Sequence, residues 1–575
     1  MSPPLIVDLP AYDPTPHYAP IGRRVSSGWS SAAATLPQPP LILALDGPPS
    51  VSWDSVVPRL LAALAERGVH GTIADVRPRM LPWPEIVRRT SSAELADDPD
   101  FASLCSGTLA DLFDALPRVE PPTTGEIVLV FGPGAALTNH DVLWYVDLPK
   151  RYAEAAVSAG TGRNLGLRAG PGSATRRRLF YIDWPLLDRH RDAMASSVDL
   201  WIDTQRSDQP ALLDGNSLRS TLAALARQPF RTRPTFNTTP WGGHWAQRTL
   251  GLNTEAPNTA LGYELIAPES GVLVGERGAP AVEVPLQLIV SLHPELMLGE
   301  SVHAMFGASF PIRFDYLDTL DGGNLSVHCH PRADYMRRVF GWPYTQHESY
   351  YLMVGGNQNK VFLGLHEGID VGTFHHEAHV ADTHGQPFDV EKYVQSFAAE
   401  AHCLFLVPAG TPHGSGAGNV VLEVSATPYL YSLRFYDWLR RDQAGKQRPV
   451  HVEHAFRNLD TERVGAAVAR DLMQIPRVLR AASGWREELL GSLPEMFFEV
   501  RRLVINGDCV AGDDTRASFH VLNVVEGDGI LIQTANGHRH LLAYAETLVV
   551  PGSVGAYTLR ALGQRRARVV KALVR

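Results

Sequence analysis

The spacing of hydrophobic and polar positions changes character near residue 230. Before that point, short apolar runs alternate with a helical period. "LILALDGPPS" reads as a strand entering a turn, and "SWDSVVPRLLAALAERGV" places Val56, Leu60 and Leu64 on one helical face behind a Ser52 cap. "GTIADVRP", "EIVLVFGPGAAL" and "RLFYIDW" read as further short strands. Strand–helix–strand order predicts a mainly parallel sheet covered by helices. From "RTRPTFNTTPWGGHW" onward, β-type segments alternate with Gly, Pro and Asn turns: "AVEVPLQLIVSLHP", "SYYLMVGG", "HCLFLVPAGTPHG", "NVVLEVS", "YSLRFYDW". This is an all-β pattern. A helical interlude precedes a last β region with "MFFEVRRLVING", "SFHVLNVVEGDGILIQT" and "ETLVVPGSVGAYTL".

At 575 residues the chain exceeds what one hydrophobic core supports, so the changes of pattern mark units. We place an irregular arm at 1–35, an α/β unit at 36–230, a β-barrel unit at 231–460, a helical linker at 461–487 and a second β unit at 488–575. A composition 45% hydrophobic and 20% charged is ordinary for globular proteins. A net charge of -9 argues against nucleic acid or an anionic membrane as partner. No apolar run reaches the ~18 residues of a membrane span, and the N-terminus lacks the pattern of a secretory signal. Cys105, Cys329, Cys403 and Cys509 form no CxxC, which fits reduced thiols in a cytoplasm.

Two stretches carry candidate chemistry. The first, "DGPPSVSWDSV", lies where a strand meets a helix, the place of a phosphate-binding loop. That chemistry wants GxxxxGK[ST], with glycine N–H groups around the phosphates and a lysine. Here one glycine and two prolines stand after Asp46, and the lysine is missing. "FGPGAAL" and "DVLWYVDLPKRYAEA" resemble segments of uridine-kinase-like domains over roughly residues 36–225, which implies a P-loop-kinase-like fold with a degenerate loop.

The second stretch is "GGNLSVHCHPRADYMRRVFGWPYTQHESYYLMV". Residues two apart in a strand share a face, so His328 and His330 project together. Glu348 opens the next strand, and His413 follows the Pro–Ala–Gly turn of "LVPAGTPHGSG". An isolated strand histidine is more often a hydrogen-bonded core residue than a ligand. Three imidazoles and a carboxylate in this order suit zinc, iron(II), manganese or nickel, and an ion there would offset their desolvation.

At these residues the chain resembles the type I mannose-6-phosphate isomerase family, zinc enzymes built on cupin barrels. "FPIRFDYLDTLDGGNLSVHCHP" is similar to that family's strand into an LSxQxHP motif, "TQHESYYLM" to its GKTExWY segment, "VPAGTPHGSG" to its PAGTxHA turn and "LRFYDW" to its YRxYDW. "TPWGGHW" resembles its opening PWGG, and "RPVHVEHA" its segment after YDW. The resemblance covers about residues 230–575. It implies cupin (double-stranded β-helix) barrels, the second of them metal-free and structural, with His328, His330, Glu348 and His413 as ligands of Zn2+ (Mn2+ and Fe2+ share them). It makes Arg434 the active-site guanidinium. Ser326, on the histidine face, either contacts substrate or satisfies a backbone group.

The chain also departs from the family. His328 replaces its usual Gln, and Gln346 stands where a Lys precedes the Glu by two residues, with His347 between. Arg434 and Lys360 are left as candidates to hold a phosphate. The activity implied is metal-dependent aldose–ketose isomerisation, foremost mannose 6-phosphate to fructose 6-phosphate, with His347 and Glu423 as candidate bases. Two alternatives are a carbohydrate-sensing metal cupin without catalysis and an isomerase of an unphosphorylated sugar. The partner expected is a sugar phosphate or sugar, and a homo-oligomer is compatible with the sequence.

Overall fold

The structure, a computed structural model, describes residues 9–116, 118–167, 174–442, 445–516 and 518–575. Its first unit is built on β1 (Leu41–Asp46), α1 (Trp53–Glu66), β2 (His70–Asp75), β3 (Glu126–Phe131), β4 (Val142–Asp147), β5 (Leu200–Asp203) and β6 (Ala211–Asp214). Across the sheet the order is β2–β3–β1–β4–β5–β6, parallel except at β6. Helices cover both faces, which is why β1 is buried at every position and reads as an unbroken apolar run. α1 lays Val56, Leu60 and Leu64 on the sheet. Ser52 occupies its N-cap position, but the hydroxyl makes no capping bond.

"RLFYIDW" is not a strand. Residues Arg176–Met194 run as one helical segment, with a wide turn at Leu179–Asp183. The buried set Leu179, Ile182, Leu186 and Leu187 has helical spacing once the following residues are included. A seven-residue window rich in aromatics hides that period.

The central unit contains a barrel of two facing antiparallel sheets. We label β7 (Ile312–Asp318), β8 (Val327–Cys329), β9 (Glu348–Val354), β10 (Gly356–Leu365), β11 (His413–Ser415), β12 (Val420–Ala426) and β13 (Leu433–Tyr436). One sheet carries β9–β12–β7 and the other β10–β11–β8–β13. The all-β expectation is incomplete here. "AVEVPLQLIVSLHP" is a strand only over Ala281–Pro285, after which Pro285 starts the helix Leu286–Leu292, and two more helices follow up to Phe306. A 14-residue helix, Val371–His384, also interrupts the strands.

The interval 461–487 is helical only over Ala466–Leu472. Its end already belongs to the second barrel, because β14 (Arg477–Ala482) and β15 (Trp485–Gly491) form a hairpin. That barrel continues with β16 (Phe498–Ile505), β17 (Val510–Asp514), β18 (His520–Glu526), β19 (Ile530–Thr534), β20 (Ala556–Ala561) and β21 (Ala567–Val574). Its sheets run β14–β15–β16–β21–β18 and β17–β20–β19.

Two features tie the units together. In the arm, His17–Tyr18 pairs with Leu273–Val274, Ser26–Ser27 pairs with β6 and Trp29–Ala33 is a short helix; its residues 1–8 lie outside the described set. A strap of the first unit, residues 98–105, crosses to the central unit. There the Asp98 carboxylate meets His454 Nε2 at 2.8 Å, and the Leu104 N–H donates to the Phe340 carbonyl. Phe101, 2% exposed, packs on Tyr431, Phe340 and His451. Among the described residues no helix is long and apolar enough to cross a membrane. All four cysteines are free thiols.

Candidate functional site

The loop after β1 lacks the donors of a phosphate cradle. Pro48 and Pro49 have no N–H, and the Val51 N–H is spent on the Pro48 carbonyl. The Asp46 carboxylate accepts the Ala136 N–H and meets His190 Nε2, each at 2.8 Å. Lys150, at the start of the helix after β4, is engaged by Asp188 at 2.5 Å and the Pro268 carbonyl at 2.7 Å. The crevice left at this sheet edge holds about 50 Å³.

The four sequence-derived ligands do converge. β8 lies between β11 and β13, with His328 opposite both His413 and Arg434, and paired residues across an antiparallel ladder share a face. His330 follows two positions along on that face. Glu348 enters from β9 in the opposing sheet. One ligand atom from each of the four lies within 4.8 Å of all the others. All are buried, at 5%, 1%, 2% and 0% exposure for His328, His330, Glu348 and His413.

The orientation of the imidazoles says what this cluster is for. Each uses Nδ1 on a backbone carbonyl: His328 on Ser326 (2.9 Å), His330 on Tyr431 (3.2 Å) and His413 on Thr411 (2.9 Å). That bond fixes the tautomer and leaves the Nε2 lone pairs aimed inward. His330 Nε2 lies 2.9 Å from one Glu348 oxygen and makes no hydrogen bond, and His413 Nε2 lies 3.2 Å from the other. Lone pairs so close to a carboxylate repel unless a cation sits among them. Burial, and then the neighbouring imidazoles, pull His328 well below its ordinary pKa, which keeps it a neutral ligand. Three imidazoles and one carboxylate fit a divalent ion such as zinc.

Behind the ligands lies a set that the sequence reading passed over. Arg313 on β7 donates Nη2 to Glu348 at 3.1 Å and to Glu423, and Nε to Ser425 at 2.6 Å. Asp315 lies 3.4 Å from the same guanidinium. Gln346 gives its amide N–H to Glu348. The signal was present in "IRFDYLD", where Arg313 and Asp315 occupy alternate positions of a buried strand, a costly arrangement unless the charges are paired across the barrel.

The remaining candidates are scattered. Glu423 is inside the barrel, opposite Asp315 and Tyr350 in the ladders, and burial raises its pKa well above the ordinary value. His347 is on the other face of β9, where Nδ1 accepts the Ala409 N–H at 3.1 Å, and burial lowers its pKa to about 4. Ser326 is buried, with Oγ 3.4 Å from His328 Nδ1. Arg434 donates to the Pro449 carbonyl at 3.0 Å, and burial, then Arg448, push its pKa down to about 10. Lys360 is not at the site. Leu363 pairs with His413, so Lys360, three positions earlier, faces outward and binds Glu391 at 2.8 Å. The odd offset along β10 is the physical reason.

Comparison with known proteins divides the chain in two. Residues 28–227 match the profile of a family described as a domain of unknown function (DUF8485). The mannose-6-phosphate isomerase of Streptococcus mutans is 26% identical over 329 residues, which cover 55% of this chain and 90% of that protein. The probable mannose-6-phosphate isomerase GmuF of Bacillus subtilis is 23% identical over 334 residues, 58% of this chain and 96% of that protein. Among solved structures, the mannose 6-phosphate isomerase of Bacillus subtilis aligns with 60% of this chain and 99% of its own at 20% identity, with a TM-score of 0.49. More than half of this chain is thus similar to mannose-6-phosphate isomerases.

Proposed function

We propose that this protein is a metal-dependent sugar-phosphate aldose–ketose isomerase, with mannose 6-phosphate to fructose 6-phosphate the favoured reaction. The observation that carries the reading is the convergence of three inward Nε2 lone pairs and the Glu348 carboxylate in the central barrel. The similarity to curated mannose-6-phosphate isomerases supports it.

His328, His330, Glu348 and His413 would hold the ion, zinc in the first instance, which when bound supplies Lewis-acid polarisation of sugar oxygens. In the isomerisation a proton leaves carbon 2 and returns to carbon 1 through an enediol. Glu423 is the better placed of the two candidate bases, because its carboxylate lies on the barrel's inner face while His347 is tethered on the outer one. Its raised pKa suits a group that must both take and return a proton. Arg313 holds Glu423 and Glu348 in register, and Arg434, half-buried on β13 opposite His328, provides a second cation. Neither Gln346, whose amide serves Glu348, nor Lys360, bound to Glu391, provides a phosphate contact. The first unit, lacking phosphate-loop donors, we read as a P-loop-kinase-like fold without phosphoryl transfer.

The test is direct. Protein loaded with zinc, manganese or iron(II) is incubated with fructose 6-phosphate and assayed for mannose 6-phosphate, with mannose run beside its phosphate. We expect one divalent ion per chain and turnover of the phosphate, both lost in His330→Ala. No product with any of the three metals would reject this substrate.

A further inference from the structure

The C-terminal barrel is not filled like a structural one. Its apolar cluster, including Leu503, Leu522, Ile532 and Leu559, packs one part of the interior. The other part is an open cavity of about 970 Å³, at the upper end of the size range for small-molecule sites. Six strands each direct a polar side chain to it: Arg480 from β14, Glu487 from β15, Asp513 from β17, His520 from β18, Tyr557 from β20 and Lys571 from β21.

Several of these groups are buried, with Glu487 at 0%, Lys571 at 1% and His520 at 2% exposure. They are held in one network. Lys571 Nζ bridges Glu487 and Asp513 at 2.5 Å each, Arg480 binds the same two carboxylates, and His520 Nδ1 meets the Tyr557 hydroxyl at 2.8 Å. Buried ion pairs of this kind gain little over apolar packing, so stability alone does not account for a polar wall drawn from six strands.

At the rim, groups remain free. The Ser518 Oγ is buried and unpartnered, and among the described residues nothing pairs with the Arg516 guanidinium or the Gln533 amide. Arg516 has φ 50°, a left-handed conformation that is costly for a side-chain-bearing residue and clusters at functional sites. The charges lining the wall nearly cancel. Arg480, Arg501, Arg516 and Lys571 stand against Glu487, Asp513 and Asp514, and Glu499, just outside the lining, holds Arg501. A wall with little net charge, rich in both donors and acceptors, matches hydroxyl groups better than an ion.

We propose that this cavity is a second binding site, which takes a neutral, hydroxyl-rich small molecule of sugar or sugar-alcohol size. The site is separate from the metal centre and does not depend on the isomerase reading. Ligand-observed NMR and calorimetry on the full chain, with D-mannose, D-glucose and sorbitol as probes and gluconate as the anionic counterpart, provide the test. Chelator-treated His330→Ala protein keeps the metal centre from responding. We expect at least one neutral probe to bind, and Arg516→Gln and Gln533→Leu, both at exposed positions, each to weaken it about tenfold. Failure of all three neutral probes at millimolar concentration would overturn the proposal. So would binding unchanged in both variants, or gluconate binding more tightly than every neutral probe.

Discussion

In the central barrel the buried polar groups leave lone pairs over. Arg313 serves Glu348, Glu423 and Asp315, yet the Nε2 atoms of His330 and His413, whose Nδ1 atoms are turned to backbone carbonyls, still face the Glu348 carboxylate. In the C-terminal barrel the corresponding groups satisfy one another, with Lys571 and Arg480 set against Glu487 and Asp513. Burial works against the charge on those two carboxylates, and Lys571 more than offsets it, holding both below their ordinary range. One fold therefore treats buried charge in two ways. The first arrangement could hold a cation; in the second the charges are paired within the protein. Asp147, at the carboxyl end of the interior strand β4, adds a third: burial raises its pKa to about 7, with Arg191 only partly opposing, so near neutrality it holds its proton much of the time.

These contrasts can be broken by experiment. The largest effect belongs to the central barrel, where His413→Ala is expected to remove bound metal and lower kcat on the order of 10²–10³-fold or more. His520→Ala should leave the metal content of the chain unchanged, and a loss of metal there would erase the distinction between the barrels. Lys571→Met leaves two buried carboxylates sharing Arg480, with one negative charge in excess, and should cost about 3 kcal/mol of stability, read from denaturant midpoints at neutral pH. A cost near zero would mean that the network is not the paired set described. The smallest effect concerns Asp147. A carboxyl whose folded pKa is raised contributes stability that is full below its unfolded value and lost as pH rises through about 7. Wild type should therefore lose stability relative to Asp147→Asn between pH 5 and pH 8, by no more than about 4 kcal/mol. Parallel curves for the two proteins would show that Asp147 does not titrate in that range.

How much could be read in advance follows from how locally each feature is encoded. The HxH pair needs only strand alternation, and His413 needs only a turn after an apolar strand, so the convergence of these side chains with Glu348 could be read locally. Arg313 shows only as a charge within an apolar strand, and its partners Glu348 and Glu423, 35 and 110 residues away, leave no local sign. Lys360 was misplaced because its parity relative to His413 is set by ladder register, which one strand's sequence does not reveal. The helix over "RLFYIDW" and those between Leu286 and Phe306 share composition with strands, and tertiary packing decides between the two. The polar wall of the second barrel left no motif at all, since its members span Arg480 to Lys571 at one per strand.

The strap at residues 98–105 bears on how the molecule can be dissected. Phe101 caps Tyr431 and Phe340, and the Tyr431 carbonyl is the anchor for His330 Nδ1. A fragment beginning at residue 231 would bare this aromatic face to water and free the segment that steadies a metal ligand. A dead fragment of that kind would say nothing against the chemistry of the barrel, and any account of the isolated barrels has to restore the wedge they lost.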